Sequence, residues 1–426
     1  MHEPEESERS VLMTGMFDMH NFGDLLFPLL AQTKLAPFGF KIAPVSATGV
    51  TPCLQDAASS LSLPDAFACS EPMAGVLIGG GYILHTHRLD ILREYRGGDT
   101  GAWVGAGNWL GAGMLAAAHD VPIAWNAPGA PHPLGRIAGD LAPLLLNASD
   151  YVSVRDRGSQ KALGPAAEIA QIVPDTLVDL PQLWPAKRLE RAYTQLREKF
   201  GIRSDQKVLA VHARGRSFSD MSLPNLARKF ETVCKANKLT PVFLGLGSAH
   251  NDDAIADALH DTVTVPSVSL SAPDSLQQIA ALLANAEAYV GSSLHGYITA
   301  YAYGRPAVLV GRPSYQKFRG FIGHVQREVD LAKNWDDGLE RLIAAKTPPA
   351  LPSSVRETLD AHWTAIAQSF QRGSDAKRAA RMQYMRACFA SGCQHAGVAW
   401  PCMPFTRASD LDAAARGDDV RGKDPI

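Results

Sequence analysis

Ala288-Tyr-Val-Gly-Ser-Ser-Leu-His-Gly-Tyr-Ile-Thr-Ala-Tyr-Ala-Tyr-Gly-Arg-Pro-Ala-Val-Leu-Val310 decides the reading of this chain. Its first four residues, Ala288 to Gly291, carry no charge to mark a solvent face, so they read as a strand buried on both sides. His295 to Tyr303 then reads as an uncharged helix. Gly304-Arg-Pro306 ends it, since glycine takes the conformations that close a helix and proline cannot continue one. Pro306 to Val310 is a second apolar strand. A strand, a covering helix and another strand in this order imply parallel pairing.

The same rhythm extends outward in both directions. Lys207–His212 predicts a strand, Leu223–Asn237 a helix, Pro241–Gly245 a strand, and Asp274–Asn285 a helix capped by Ser271 or Asp274. In the first half, Ser10–Thr14 predicts a strand. Asn21-Phe22-Gly23-Asp24 then turns the chain into an apolar helix around Leu25–Leu30. Gly75–Ile78, Val121–Trp125 and Tyr151–Val154 predict further strands, the first running into Gly79-Gly80-Gly81. Pro174, Pro181 and Pro185 mark a joint, followed by a charged helix from Leu189 to Phe200. The expected fold is α/β, with two Rossmann-like domains facing a central cleft, over residues 10–182 and 183–335. Residues 336–404 are expected to form a helical extension, with Trp363, Ile366 and Phe370 on one apolar stripe, and 405–426 a disordered tail.

Composition narrows the function classes. The chain has 426 residues, 46% hydrophobic and 20% charged, and 41 basic against 43 acidic side chains leave a net charge of -2. No basic footprint for nucleic acid is present. No apolar run approaches the roughly 18 residues that span a bilayer, and the acidic start lacks the pattern of a secretory signal. A cytoplasmic location is expected, with peripheral association at the inner membrane face compatible with it. Nothing in the sequence speaks to oligomeric state. Cys388, Cys393, His395 and Cys402 cluster near the end, but without a Cys-x-x-Cys pair they read as free thiols and no metal site is expected.

The loop Gly291-Ser292-Ser293-Leu294-His295 places two hydroxyls and an imidazole where a strand gives way to a helix. Exposed N–H groups at a helix start attract anions, so this is a natural phosphate or carboxylate site; a capping serine pair beside a packed histidine fits the pattern equally. Arg214 and Arg216 close the first strand of the second half, and Lys317 follows its last. These three cations are candidates for the cleft edge, with solvated surface charge as the alternative. On the first half, Asn21 and Asp24 suit either sugar hydroxyls or a helix cap. The glycine triplet admits close ligand approach or a tight turn. His85 and His87 lack a third ligand for a metal. Arg155 and Asp156 read as a structural pair.

Four segments in register resemble the polysaccharide pyruvyltransferase family: Asn21-Phe22-Gly23-Asp24, Gly79-Gly80-Gly81, Tyr151-Val-Ser-Val-Arg-Asp156 with Ser159 and Pro174-Asp175, and Ser293-Leu294-His295-Gly296 with Gly304-Arg-Pro306. The resemblance covers roughly residues 10–325. It implies a GT-B-like fold and transfer of a pyruvyl unit from phosphoenolpyruvate, a co-substrate rather than a resident cofactor, onto a sugar or lipid-linked oligosaccharide as a ketal. It further implies that His295 and its neighbours hold phosphoenolpyruvate, and since an imidazole can give or take a proton near neutral pH, His295 is the expected catalytic acid or base. Arg214, Arg216, Ser292, Ser293, Leu294 and Lys317 would stand on the donor side, and Asn21, Gly23, Asp24, Gly79, Gly80, Gly81 and His85 on the acceptor side. Many members carry arginine directly before Leu-His; this chain has Ser293, so another element must supply that cation. Two rivals keep the two-domain cleft: a glycosyltransferase using a nucleotide sugar, and a non-catalytic carbohydrate-binding assembly component.

Overall fold

The computed structural model describes residues 9–247, 251–345 and 351–397. One sheet has five parallel strands: β1 (Arg9–Thr14), β2 (Phe40–Ser46), β3 (Leu61–Ser62), β4 (Met73–Ile78) and β5 (Ile123–Trp125), in the order β3-β2-β1-β4-β5. A two-stranded sheet follows, β6 (Ser153–Val154) with β7 (Gln171–Ile172). The second large sheet is also parallel, in the order β10-β9-β8-β11-β12-β13. Its strands are β8 (Lys207–His212), β9 (Leu239–Leu244), β10 (Val268–Leu270), β11 (Ala288–Gly291), β12 (Ala307–Val310) and β13 (Leu331–Ala332).

Burial on both faces explains the uninterrupted apolar strands. In β1, Val11 and Met13 join one core while Leu12 between them joins another; in β8, Val208 and Ala210 face one core and Leu209 and Val211 a second. Each sheet therefore has helices on both sides, as parallel sheets require. The core shared by β1 and β8 also takes in helices Phe22–Leu35, Leu276–Asn285 and Leu294–Ala302. A continuous apolar seam thus joins the two halves, and strand ends from both sheets open onto one crevice. The neighbours of β1 and of β8 run off in opposite sequence directions, which is where α/β sheets open a binding crevice. Two facing Rossmann-like layers of this kind are the GT-B-like arrangement.

Several expectations need correction. Tyr151–Val154 is not a full strand of the main sheet, which it meets only at a bridge from Tyr151 to Ala124. Side chains replace the missing ladder: Ser153 donates to the Trp125 carbonyl at 2.7 Å and accepts from Ala127 N–H at 2.9 Å, and Asp150 accepts from Ile123 N–H at 2.9 Å. The helix expected from Asp274 starts at Leu276 and is capped by Ser275, which accepts from Gln278 N–H at 3.1 Å. Asp274 instead pairs with Lys199 at 2.5 Å.

Among the described residues, the expected extension 336–404 holds three helices: Trp335–Ala344 packs on the second sheet, Ser353–Arg372 returns to the first sheet, and Arg378–Ala396 packs on helices Ala112–Ala118 and Arg136–Ala148 of the first half. Ser353–Arg372 lies along β4 and β5, burying Trp363, Ile366 and Phe370, with the Phe370 ring edge-on to Phe40 at 5.7 Å. Its buried His362 bonds Tyr151 and Asn126 at 2.9 and 3.0 Å. Cys402 and the segment 405–426 lie outside the described residues.

Candidate active site

β11 ends at Gly291, where a Cβ would stand 2.7 Å from the His212 carbonyl at the end of β8, so the two strand ends are stitched closely together. Ser293 caps the next helix, accepting from Gly296 N–H at 3.4 Å, and the helix opens with Leu294 and His295. The His295 ring packs directly against Gly23 of the opposite half. A Cβ at position 23 would fall 1.5 Å from its Nδ1, so only glycine fits. Phe27 stands edge-on to the same ring at 5.8 Å. On the other side, His295 Nε2 approaches Asp175 Oδ2 to 3.5 Å, slightly long for a hydrogen bond. Burial alone would raise the Asp175 carboxyl. The facing His295, the Arg155 charge and the Leu177 N–H outweigh it, holding Asp175 below the usual carboxylate range.

His295 opens into a cavity of about 290 Å³ between the sheets, shared with Asn21, Asp24, His85, Arg214, Ser292, Ser293, Leu294 and Lys317. Tyr82 and Arg155 also line it, although sequence reasoning gave neither a place in the site. The Arg155 guanidinium sits 4.3 Å over the Tyr82 ring and packs on Gly129, where a Cβ would meet its Nε at 2.3 Å. Arg155 is 4% exposed, its Nε and Nη2 have no hydrogen-bond partner among the described residues, and its Nη1 lies 3.9 Å from Asp175. Unused donors on a buried cation mark a place where an anion is accommodated at low cost. Lys317 Nζ lies 5.1 Å from the same Tyr82 ring. Burial, then the nearby Arg155 and Arg214, pull its ammonium down to about 7, with Asp24 and Asp175 only partly opposing them. Asp24 accepts from the Asn21 amide at 2.6 Å. Burial pushes its carboxyl above the usual range, although His295, Lys317 and Arg155 pull the other way.

Not every expected residue reaches the cavity. Arg216 is exposed on the turn Gly215–Phe218 and does not line it. Gly79, Gly80 and Gly81 are closed off as well. Their faces are filled by the Thr14 carbonyl, the Phe27 ring and the Asp24 carboxylate, at 2.5, 2.2 and 2.8 Å from where a Cβ would sit. The triplet shapes the wall behind the site. His85 lines the cavity and stacks on His87 at 5.5 Å. Burial, followed by His87 and His132, lowers it to about 4, so it is neutral at pH 7. Among the described residues, no group of three or more His, Cys, Asp or Glu is arranged to hold a metal ion. The expected Arg155–Asp156 pair exists at 3.5 Å, but Asp156 chiefly caps the helix Arg157–Ala162 through Ser159 N–H, leaving Arg155 to the cavity. Asp175 was visible only as part of a matched Pro-Asp motif.

These features define a GT-B-like α/β protein whose imidazole, carboxylates and cations meet between its two sheets. Residues 21–314 match the family described as polysaccharide pyruvyl transferase, and the chain belongs to that family of transferases. Its fold is similar to that of a protein assigned as a UDP-N-acetylglucosamine 2-epimerase from Listeria monocytogenes, with a TM-score of 0.50 and 11% identity over 86% of this chain and 97% of that one. The UDP-GlcNAc 2-epimerase of Neisseria meningitidis bound to UDP-GlcNAc gives 0.48 and 11%, covering 85% and 100%. That of Rickettsia bellii gives 0.49 and 13%, covering 85% and 95%. These likenesses concern the fold alone. No curated protein matches the sequence. No helix among the described residues is long and apolar enough to cross a membrane.

Proposed function

We propose that this protein moves the pyruvyl unit of phosphoenolpyruvate onto two hydroxyls of a sugar in a polysaccharide precursor, as a ketal. The observation that carries the reading is His295, faced by the buried Asp175 at 3.5 Å, lining one cavity with Arg155, Lys317 and Arg214. Phosphoenolpyruvate brings about three negative charges, a carboxylate plus a nearly dianionic phosphate. Three cations suit it, and Arg155 and Lys317 stand where Ser293 supplies no charge. A cavity of about 290 Å³ matches a small donor better than a nucleotide sugar.

In this mechanism His295, its imidazolium stabilised by the ionised Asp175, protonates the methylene carbon of the enol. Positive charge then develops at the carbon bearing the phosphate oxygen. One acceptor hydroxyl adds there, giving its proton to Asp24, a carboxylate that burial makes more basic than a free one. The carbon–oxygen bond to phosphate breaks, Arg155, Lys317 and Arg214 neutralise the leaving group, and the second hydroxyl closes the ketal. The acceptor hydroxyls lose two protons. One replaces the proton His295 gave up, and the other leaves with phosphate or solvent.

The test is incubation with phosphoenolpyruvate and a panel of lipid-linked or nucleotide-linked oligosaccharides. A mass gain of one pyruvyl group with release of inorganic phosphate is expected. Consumption of a nucleotide sugar with release of its nucleotide would replace this reading by glycosyl transfer, and sugar binding with no donor consumed would replace it by a binding role.

A further inference from the structure

Behind Arg214 lies a buried group that the mechanism above does not use. His212, the last residue of β8, and Asp252, the first residue of helix Asp252–Thr262, are both 0% exposed, and His212 Nε2 donates to Asp252 Oδ2 at 2.9 Å. The same oxygen accepts from Arg214 Nε at 3.3 Å. Arg214 continues the extended backbone past β8 (φ -108, ψ 145), so its side chain falls on the same side as that of His212, two residues earlier. Two further bonds fix the backbone between them: Arg214 N–H donates to Ser292 Oγ at 3.1 Å, and Ser292 N–H to the His212 carbonyl at 3.0 Å.

We propose that Asp252 is a positioning residue, which anchors Arg214 at Nε and leaves its terminal nitrogens to meet an anion in the cavity. The inference rests on Arg214 being an anion contact of the proposed donor site. A guanidinium offers five N–H donors in a rigid plane, so a bond at Nε orients the terminal pair without consuming it. Arg214 is the partly exposed member of the group, at 28%, and it lines the cavity; Asp252 does not. A carboxylate this deeply buried needs donors, and His212 already supplies one. The bond to Arg214 ties this buried carboxylate to a side chain that lines the cavity.

The test is calorimetric binding of inorganic phosphate and of phosphoenolpyruvate to the whole protein and its variants. Asp252→Asn should weaken both by about tenfold, the worth of a lost charge-assisted hydrogen bond, and should weaken neither further in an Arg214→Ala background. An equal loss in both backgrounds, or none in either, overturns the proposal. Should Asp252→Asn fail to fold, Arg214→Lys decides, because lysine keeps the charge but has no Nε–H for Asp252 to hold. Affinity as low as in Arg214→Ala supports the proposal, and wild-type affinity overturns it. If phosphate follows this pattern while phosphoenolpyruvate does not bind, the positioning role stands and the donor assignment falls. Binding of neither by the unaltered protein removes both.

Discussion

The two walls of the cleft are chemically unlike. The first half brings both carboxylates, Asp24 and Asp175, together with Arg155 held under Tyr82, and all three charged groups are buried. The second half brings the nitrogen bases His295, Arg214 and Lys317 on strand ends and helix starts, each with some access to solvent. Neither wall is complete alone: His295 from one faces Asp175 from the other, 3.5 Å apart. Cations from both halves line the cavity, Arg155 from the first and Arg214 and Lys317 from the second.

The largest expected effect probes the pair that crosses the gap. His295→Ala should lower kcat by about a thousandfold, within the range for losing a general acid. Near-normal turnover would show that the imidazole is not the proton donor. Next, Arg155→Ala should weaken donor binding by about thirtyfold, as for a charge contact shielded from water. Unchanged affinity, measured by calorimetry, would confine donor recognition to the second half.

Lys317 gives a smaller, graded effect. In the unliganded fold its ammonium loses its proton near pH 7, against an ordinary value of 10.5. A bound anion favours the charged form and lifts that value, so binding takes up a proton between these limits and affinity falls as pH rises through them. Lys317→Arg should flatten the profile, and buffer-dependent binding enthalpies measure the proton directly. The sign for folding is separate. The unfolded chain holds this proton up to about 10.5, so the group's contribution to the stability of the unliganded fold rises with pH across the same window. The smallest change belongs to Arg216→Ala, expected to alter donor affinity by less than about twofold as an exposed charge. A larger loss would mean that the turn Gly215–Phe218 folds over the ligand.

Much of the fold was legible because its strands are buried on both faces. β8, β11 and the helix Leu223–Asn237 fall where their apolar runs begin and end. β2 was not legible: exposed Lys41 and the proline at position 44 interrupt its pattern. The site divides along a similar line. His295, Ser292 and Arg214 follow directly from strand ends, but Arg155 and Asp175 meet across distant parts of the chain, and the adjacent Arg155–Asp156 suggested a local pair. Arg216 was expected at the cleft edge with Arg214 because both close the same strand. The chain instead leaves extended geometry at Gly215.

The return of the last two helices to the first half has a consequence for synthesis. Chains fold broadly from the N-terminus as they leave the ribosome. Here the cover over β4 and β5, with Trp363 and Phe370, emerges only after the entire second sheet. Until then Gly75, against which the Phe370 ring rests, and Phe40 form part of a greasy, uncovered surface. The nascent first half must therefore wait, shielded by the translation machinery or by chaperones, for a lid encoded some 275 residues after β4.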